Sequence, residues 1–377
     1  MQRTLSLLVI GGLLLSGCQA ALLSSDTPTE PAVGEMTRTP DAQRPAIDEN
    51  PSAQATPTNP VPDYIPTLRQ LTEPDCCVQP LWSPEGDQVR FVDKRPDLSS
   101  ASAIYGVDIS GGEVEIVSRV VGIYSPGDEY LAFLTSDNAL MVQNQETGIR
   151  AIVPSEGRAV FFSPNNEQIA WQIIRRVGIY ENRRSEISVA DVNGRNAQQL
   201  ISATGGSIVG WLDDETLLLL AGMPGKDANH RALFALSTED EERLDLIDND
   251  RVVDAGIAPG GAWIWYVIAF SPEDPDNNGL WIVRRDGSER HHLDVFGAPQ
   301  WRDATHLLVI PVEAVNDSHV LLQIDAETGE MHQLLNPDSF SFKVQAGQWK
   351  VSPTGEHIVF LNAADGALWV FDLPPVE

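Results

Sequence analysis

Pro80-Leu81-Trp82-Ser83-Pro84-Glu85-Gly86, followed by the apolar run Gln88-Val89-Arg90-Phe91-Val92, decides the fold, because the pattern returns six more times. The second copy is Gly122-Ile123-Tyr124-Ser125-Pro126 before Tyr130–Leu134, and the third is Phe162-Ser163-Pro164-Asn165-Asn166 before Gln168–Ile173. A degenerate fourth, Trp211-Leu212-Asp213-Asp214, precedes Thr216–Ala221. The fifth is Ala258-Pro259-Gly260-Gly261 before Ala262–Phe270, and the sixth is Trp301-Arg302-Asp303 before His306–Val312. Val351-Ser352-Pro353-Thr354-Gly355 before His357–Ala363 closes the series. Aligning Pro84, Pro126, Pro164, Asp213, Pro259, Asp303 and Pro353 gives spacings of 42, 38, 49, 46, 44 and 50 residues.

Such a period, with short Val/Ile/Leu/Phe runs between Gly, Asp, Asn and Pro turns, is that of four-stranded propeller blades. Each copy continues into a third and a fourth strand joined by a hairpin. Examples are Ser185–Val192 and Arg195–Ile201 around Asn193-Gly194, and Gly279–Arg285 and Ser288–Leu293 around Asp286-Gly287. Asn-Gly and Asp-Gly admit positive φ at both turn positions. The second strand is apolar along its length because both of its faces pack against neighbouring blades. The aromatic before Ser-Pro suits a wedge between blades, and Pro and Gly suit the turn, so Trp82, Ser83 and Pro84 are read as structural. The last copy shows three strands only. The missing one has a candidate in Ile65–Thr72, so the expected fold is all-β: a seven-bladed β-propeller of antiparallel four-stranded blades, closed by an N-terminal strand in the last blade.

These W-S-P-x-G copies, preceded by Leu68-Arg69-Gln70-Leu71-Thr72, resemble the WD40-like, TolB-type propeller repeat over roughly residues 65–374. Copies four and six depart from it in lacking Ser-Pro. The chain leaves no room for the α/β domain that precedes the propeller in TolB proper, so Tol-system function is not carried over. The same repeats cap prolyl-oligopeptidase-type peptidases, but no G-x-S-x-G nucleophile elbow is present.

Before the body, Arg3 and the eleven-residue apolar run Leu5–Leu15 form a secretory signal, too short to span a bilayer. The run ends in Leu15-Ser16-Gly17-Cys18, which resembles a bacterial lipobox. That resemblance implies cleavage after residue 17, palmitate and other acyl chains on Cys18, and an extracytoplasmic chain anchored to the membrane by lipid. Residues 18–62 are then the lipidated cysteine and a Pro/Thr/Ala-rich tether, too poor in large apolar side chains to fold, and residues 63–377 are the propeller.

The chain of 377 residues carries 25 Lys and Arg against 54 Asp and Glu, a net charge of −29. That balance excludes nucleic acid as a partner, since affinity for it rests on cationic side chains. Candidate sites are few. Cys76 and Cys77 are adjacent, so outside the cytoplasm a vicinal disulfide and two free thiols are the alternatives. Asp274, Asp276 and Asn278 match the start of a calcium loop, but Ile282 and Arg285 stand where further acidic ligands are needed. His230, His291, His292, His306, His319, His332 and His357 form no evident trio, so no metal or other cofactor is expected. Arg175, Arg176, Arg183 and Arg184 make one basic island. The reading that results is a cell-envelope binding or scaffolding protein with a monomeric body and a protein or glycan partner. The alternative is an envelope polysaccharide lyase or hydrolase with its site at the channel mouth.

Overall fold

The computed structural model describes residues 64–94, 102–175, 183–222, 230–248, 251–271, 274–312 and 318–376. The signal segment, Cys18, the tether and Arg176 lie outside the described residues. Among the described residues, twenty-eight strands form seven four-stranded antiparallel sheets, the blades of a β-propeller. Blade 1 comprises β2 (Val78–Trp82), β3 (Gln88–Asp93), β4 (Ala103–Asp108) and β5 (Glu115–Ser118). Blade 2 follows as β6 (Gly122–Tyr124), β7 (Tyr130–Leu134), β8 (Leu140–Asn144) and β9 (Arg150–Val153). Blade 3 is β10 (Val160–Phe162), β11 (Gln168–Arg175), β12 (Arg184–Asp191) and β13 (Gln198–Thr204). Blade 4 is β14 (Ser207–Trp211), β15 (Thr216–Gly222), β16 (Arg231–Ser237) and β17 (Arg243–Ile247). Blade 5 contains β18 (Val252–Ile257), β19 (Trp263–Ile268), β20 (Gly279–Arg284) and β21 (His291–Leu293). Blade 6 contains β22 (Gly297–Trp301), β23 (His306–Pro311), β24 (Leu322–Asp325) and β25 (Met331–Gln333). Blade 7 takes β26 (Val344–Val351), β27 (His357–Asn362) and β28 (Leu368–Asp372) from the C-terminus, and its fourth strand is β1 (Leu68–Gln70).

The closing strand is shorter than Ile65–Thr72. Leu68, Arg69 and Gln70 pair with Phe371, Val370 and Trp369. Pro66 has no N–H to give the ladder, and Ile65 is left exposed. Beyond the strand, Leu71 N–H donates to the Leu368 carbonyl and the Thr72 hydroxyl accepts from Leu368 N–H. Arg69 clamps Asp372 through two guanidinium nitrogens, 2.8 and 3.3 Å from the carboxylate oxygens.

The motif serines close their own turns. Ser83, Ser125, Ser163 and Ser352 each donate their backbone N–H to the carbonyl five residues on, at 2.9 Å. Each hydroxyl oxygen then accepts the N–H of that same residue, Gln88, Tyr130, Gln168 or His357. In blades 4 and 6 the turn is one residue shorter, with Leu212 bonding Thr216 and Arg302 bonding His306. There Asp213 and Asp303 replace the hydroxyl by accepting the N–H groups of Glu215, and of Thr305 and His306. Blade 5 keeps the longer turn with Ala258 in the serine's place, Ala258 N–H donating to the Trp263 carbonyl.

The fourth motif position faces the preceding blade. Gly86, Asp128, Asn166, Gly261 and Gly355 all have φ between +60° and +75°. Asn166 Nδ2 donates to the Pro126 carbonyl at 2.8 Å, Asp128 pairs with Arg90, and Gly355 lies against the Arg302 carbonyl. The motif tryptophans act likewise: Trp82, Trp211 and Trp301 donate their indole N–H to Lys350, Phe161 and Gly256 carbonyls on the previous blade's innermost strand. Between blades lie apolar layers. Leu218, Leu220 and Leu233 of blade 4 meet Val252, Ile264 and Tyr266 of blade 5, and Phe342, Phe360 and Phe371 anchor the layer between blades 6 and 7.

Candidate functional site

Antiparallel topology sorts the connections onto two faces. The loop face carries the links from second to third strands and from each outermost strand to the next blade, whereas the turn face carries the motif turns and the outer hairpins. Irregular backbone at the channel rim is most marked where blades 7 and 1 meet. In β26, Gln345–Gln348 stand opposite the single residue Leu361, since Val344 pairs with Asn362 and Trp349 with Phe360. In β2, Gln79 and Pro80 stand opposite Phe91. Gln79 N–H donates to Gln348 Oε1 at 2.9 Å and links the two bulges. Asp75, Gln79 and Ala346 all have positive φ, which strains a residue carrying a Cβ. Bulges and left-handed residues of this kind gather beside binding sites.

A cleft of about 420 Å³ opens on the loop face at this seam, lined by Cys76, Cys77, Asp93, Lys94, Ser102 and Gln345 among others. The sulfurs of Cys76 and Cys77 are in bonding contact, and Cys77 is buried with Leu71, Phe91 and Leu368. Cys76 N–H donates to Gly366 and Asp75 N–H to Asp365, which docks this segment on the β27–β28 hairpin. The Thr72 hydroxyl touches Cys76 Sγ at 2.9 Å. On the turn face a recess of about 300 Å³ is lined by Thr216, Ser237, Arg243 and Arg285.

Two innermost strands carry perturbed charges. Burial pushes the Asp254 carboxyl of β18 up to about 6, against a hydrogen bond from Ala255 N–H that favours the anion. Lys350 of β26 is open to solvent yet walled by protein, and that loss of hydration lowers its pKa. They stand two blades apart. Neither was legible in the sequence, where Asp254 is a lone acid within an apolar run. A signal for the β26 bulge did exist, in Gly347 inside a strand.

The sequence-derived candidates are scattered. Asn278 is engaged in its own turn: its Oδ1 accepts Ser271 N–H at 2.9 Å and its Nδ2 donates to Pro275 O at 2.9 Å. Asp274 and Asp276 flank it as exposed side chains. His291 and His292 lie on β21 and His332 on β25, all outermost strands. His306 meets Asp303 at 3.0 Å and His357 meets Asp372 at 3.0 Å, each at the start of a second strand on the turn face. His319 sits against Phe342, and burial lowers its pKa. Among the described residues, no three His, Cys, Asp or Glu side chains converge as a metal-binding group. The basic island is tied down as well: Arg175 bridges Glu156 and Glu186, and Arg184 bonds Ser202.

Large apolar side chains left in solvent favour the loop face. Val78, Val121, Val253, Phe270, Phe296 and Val312 are there, against Ile65, Ile149 and Val376 at the turn face. Phe270 is 82% exposed with φ +59°, and Val312 is 77% exposed.

No family model matches the chain, and no curated protein matches it. Solved structures do. An oligogalacturonate lyase in complex with manganese is 16% identical with a TM-score of 0.60, over 81% of this chain and 93% of that one. An oligogalacturonate lyase from Vibrio parahaemolyticus is 12% identical with a TM-score of 0.57, over 82% and 98%. The β-propeller domain of the trilobed protease from Pyrococcus furiosus, described as having an open velcro topology, is 13% identical with a TM-score of 0.53, over 80% and 99%. At such identities the likeness concerns the fold alone, and the chain is similar to these proteins in being a β-propeller.

Proposed function

We propose that this chain is a non-enzymatic binding or scaffolding lipoprotein of the bacterial cell envelope, which engages a protein or glycan through the loop face of its propeller. Cys18 is the lipid anchor and residues 19–62 the tether. A rigid ring with function in its loops suits such a role, because loops vary without disturbing the blades. The observation that carries the reading is on the loop face, where a cleft of about 420 Å³ and the strongly exposed side chains of Phe270 and Val312 stand on the same side of the ring. Exposed apolar surface of this kind opposes solubility and marks interaction sites. Cys76 and Cys77 form, on this reading, a structural disulfide that braces the ring closure beside the cleft.

The test is site-specific photocrosslinking in envelope preparations. A crosslinking residue at Val121 or Ala346, on the loop face, is expected to capture a defined partner. One at Gly148, on the turn face, is expected to capture none. Equal labelling from both faces refutes the assignment. Turnover of an oligosaccharide or peptide substrate by the purified protein refutes the non-enzymatic reading.

A further inference from the structure

The cleft where blades 7 and 1 meet is lined by five polar side chains that the fold does not use. Asp75 stands before β2, Asp93 ends β3, Lys94 and Ser102 lie at the two ends of the β3–β4 connection, and Gln345 sits in the β26 bulge. Among the described residues, none of the five pairs with another side chain. Only the Asp93 carboxylate is engaged at all, accepting Lys94 N–H at 2.6 Å. Comparable groups nearby are committed: Gln348 Oε1 accepts Gln79 N–H, and Arg69 clamps Asp372.

The backbone that presents these groups is irregular. Asp75 has φ +56°, Gln79 just beyond Val78 has +57°, and Ala346 beside Gln345 has +49°. A left-handed residue carrying a Cβ costs stability, and such residues gather at binding sites. Cys76 and Cys77, their sulfurs in bonding contact, complete the wall with Val78 and Val92.

The chemistry of this lining selects among ligands. At about 420 Å³ the cleft is of small-molecule size. Two carboxylates against one ammonium, on a chain of net charge −29, oppose phosphates, sulfates and uronates. A hydrocarbon would strip water from five polar groups without replacing their hydrogen bonds. A sugar hydroxyl both donates and accepts. A neutral sugar ring therefore gives Asp75 and Asp93 the donors they lack and accepts from Lys94 and Ser102, while Gln345 does both. The C–H face of such a ring suits the polarisable sulfurs and the valines. We infer that the cleft binds a neutral saccharide, the mono- or disaccharide end of an envelope glycan, through Asp75, Asp93, Lys94, Ser102 and Gln345. This deepens the proposed binding role and rests on the loop face being the binding face.

The experiment applies the full chain with Cys18→Ser, which keeps it free of lipid, to an array of neutral, uronic-acid and sulfated glycans, and titrates the best of them by calorimetry. Binding is expected to be confined to neutral glycans. Asp93→Asn, which keeps an acceptor for Lys94 N–H, and Gln345→Ala are each expected to weaken the titrated glycan about tenfold. Asp75→Asn, which suits positive φ, is expected to do the same. All three keep the wild-type Tm, because none of these side chains is tied to another in the fold. Ile149→Ser on the turn face leaves binding unchanged. A preference for uronic-acid or sulfated glycans overturns the proposal, and so does binding indifferent to the three substitutions. If no glycan binds, the inference falls, and crosslinking decides how much falls with it. Capture of a partner from Val121 or Ala346 leaves the binding face standing; absence of capture removes both.

Discussion

Gly261→Ala is expected to damage the ring far more than Gly86→Ala, although the two glycines occupy the same motif position with φ of +71° and +75°. The left-handed conformation costs an Ala about 1–2 kcal/mol. Some 0.4–1 kcal/mol is returned because Ala narrows the unfolded ensemble. At Gly86 the new methyl would find Pro353 Cδ and Thr354 Cγ2 at 3.5 Å, an ordinary contact, so the net loss is about 1 kcal/mol. At Gly355 it would lie 2.7 Å from the Arg302 carbonyl oxygen, and at Gly261 it would overlap the Leu212 carbonyl. Backbone of a neighbouring blade cannot swing aside as a side chain can, so overpacking adds about 1–3 kcal/mol, most at Gly261. For a domain of this size each kcal/mol lowers Tm by roughly 2–4 °C. The three alanine variants, melted side by side and followed by tryptophan fluorescence, should therefore lose stability in the order Gly86, Gly355, Gly261. Equal losses at all three would show that the motif glycine serves only its own turn, and the account of blade-to-blade contact would be wrong.

Asp254→Asn should stabilise the protein at pH 7 by about 1–2 kcal/mol, because the native carboxyl, raised to about 6, binds its proton more tightly than the unfolded one. The native state then holds more protons, so wild-type stability falls as pH rises from about 4 through 6, and the advantage of Asn should vanish below pH 4 in denaturant titrations; an advantage independent of pH would refute this. Arg302→Met should cost about 3 kcal/mol in the same assay, since the buried guanidinium donates to the Gly355 carbonyl, Gln323 Oε1 and the Pro374 carbonyl across blades 6 and 7. Cys76 and Cys77 should resist alkylation in the native protein until a reductant is added, and immediate labelling of both would refute the disulfide.

Much of the architecture was readable in one dimension. Seven motif copies, Asn-Gly and Asp-Gly hairpins and the spare strand near Leu68 are local or periodic signals, and periodicity survives without knowledge of which residues meet. The same logic held for the acidic balance, a sum over residues that needs no fold. What tertiary structure decided was every contact between blades: that Gly261 abuts Leu212, that Asp213 and Asp303 stand in for a serine in shortened turns, that the β26 bulge meets Gln79, and that Phe270 turns out into solvent at the end of a run that reads as strand. These pairings join residues tens to hundreds of positions apart, and a sequence carries no local mark of a neighbour it acquires only when the ring closes.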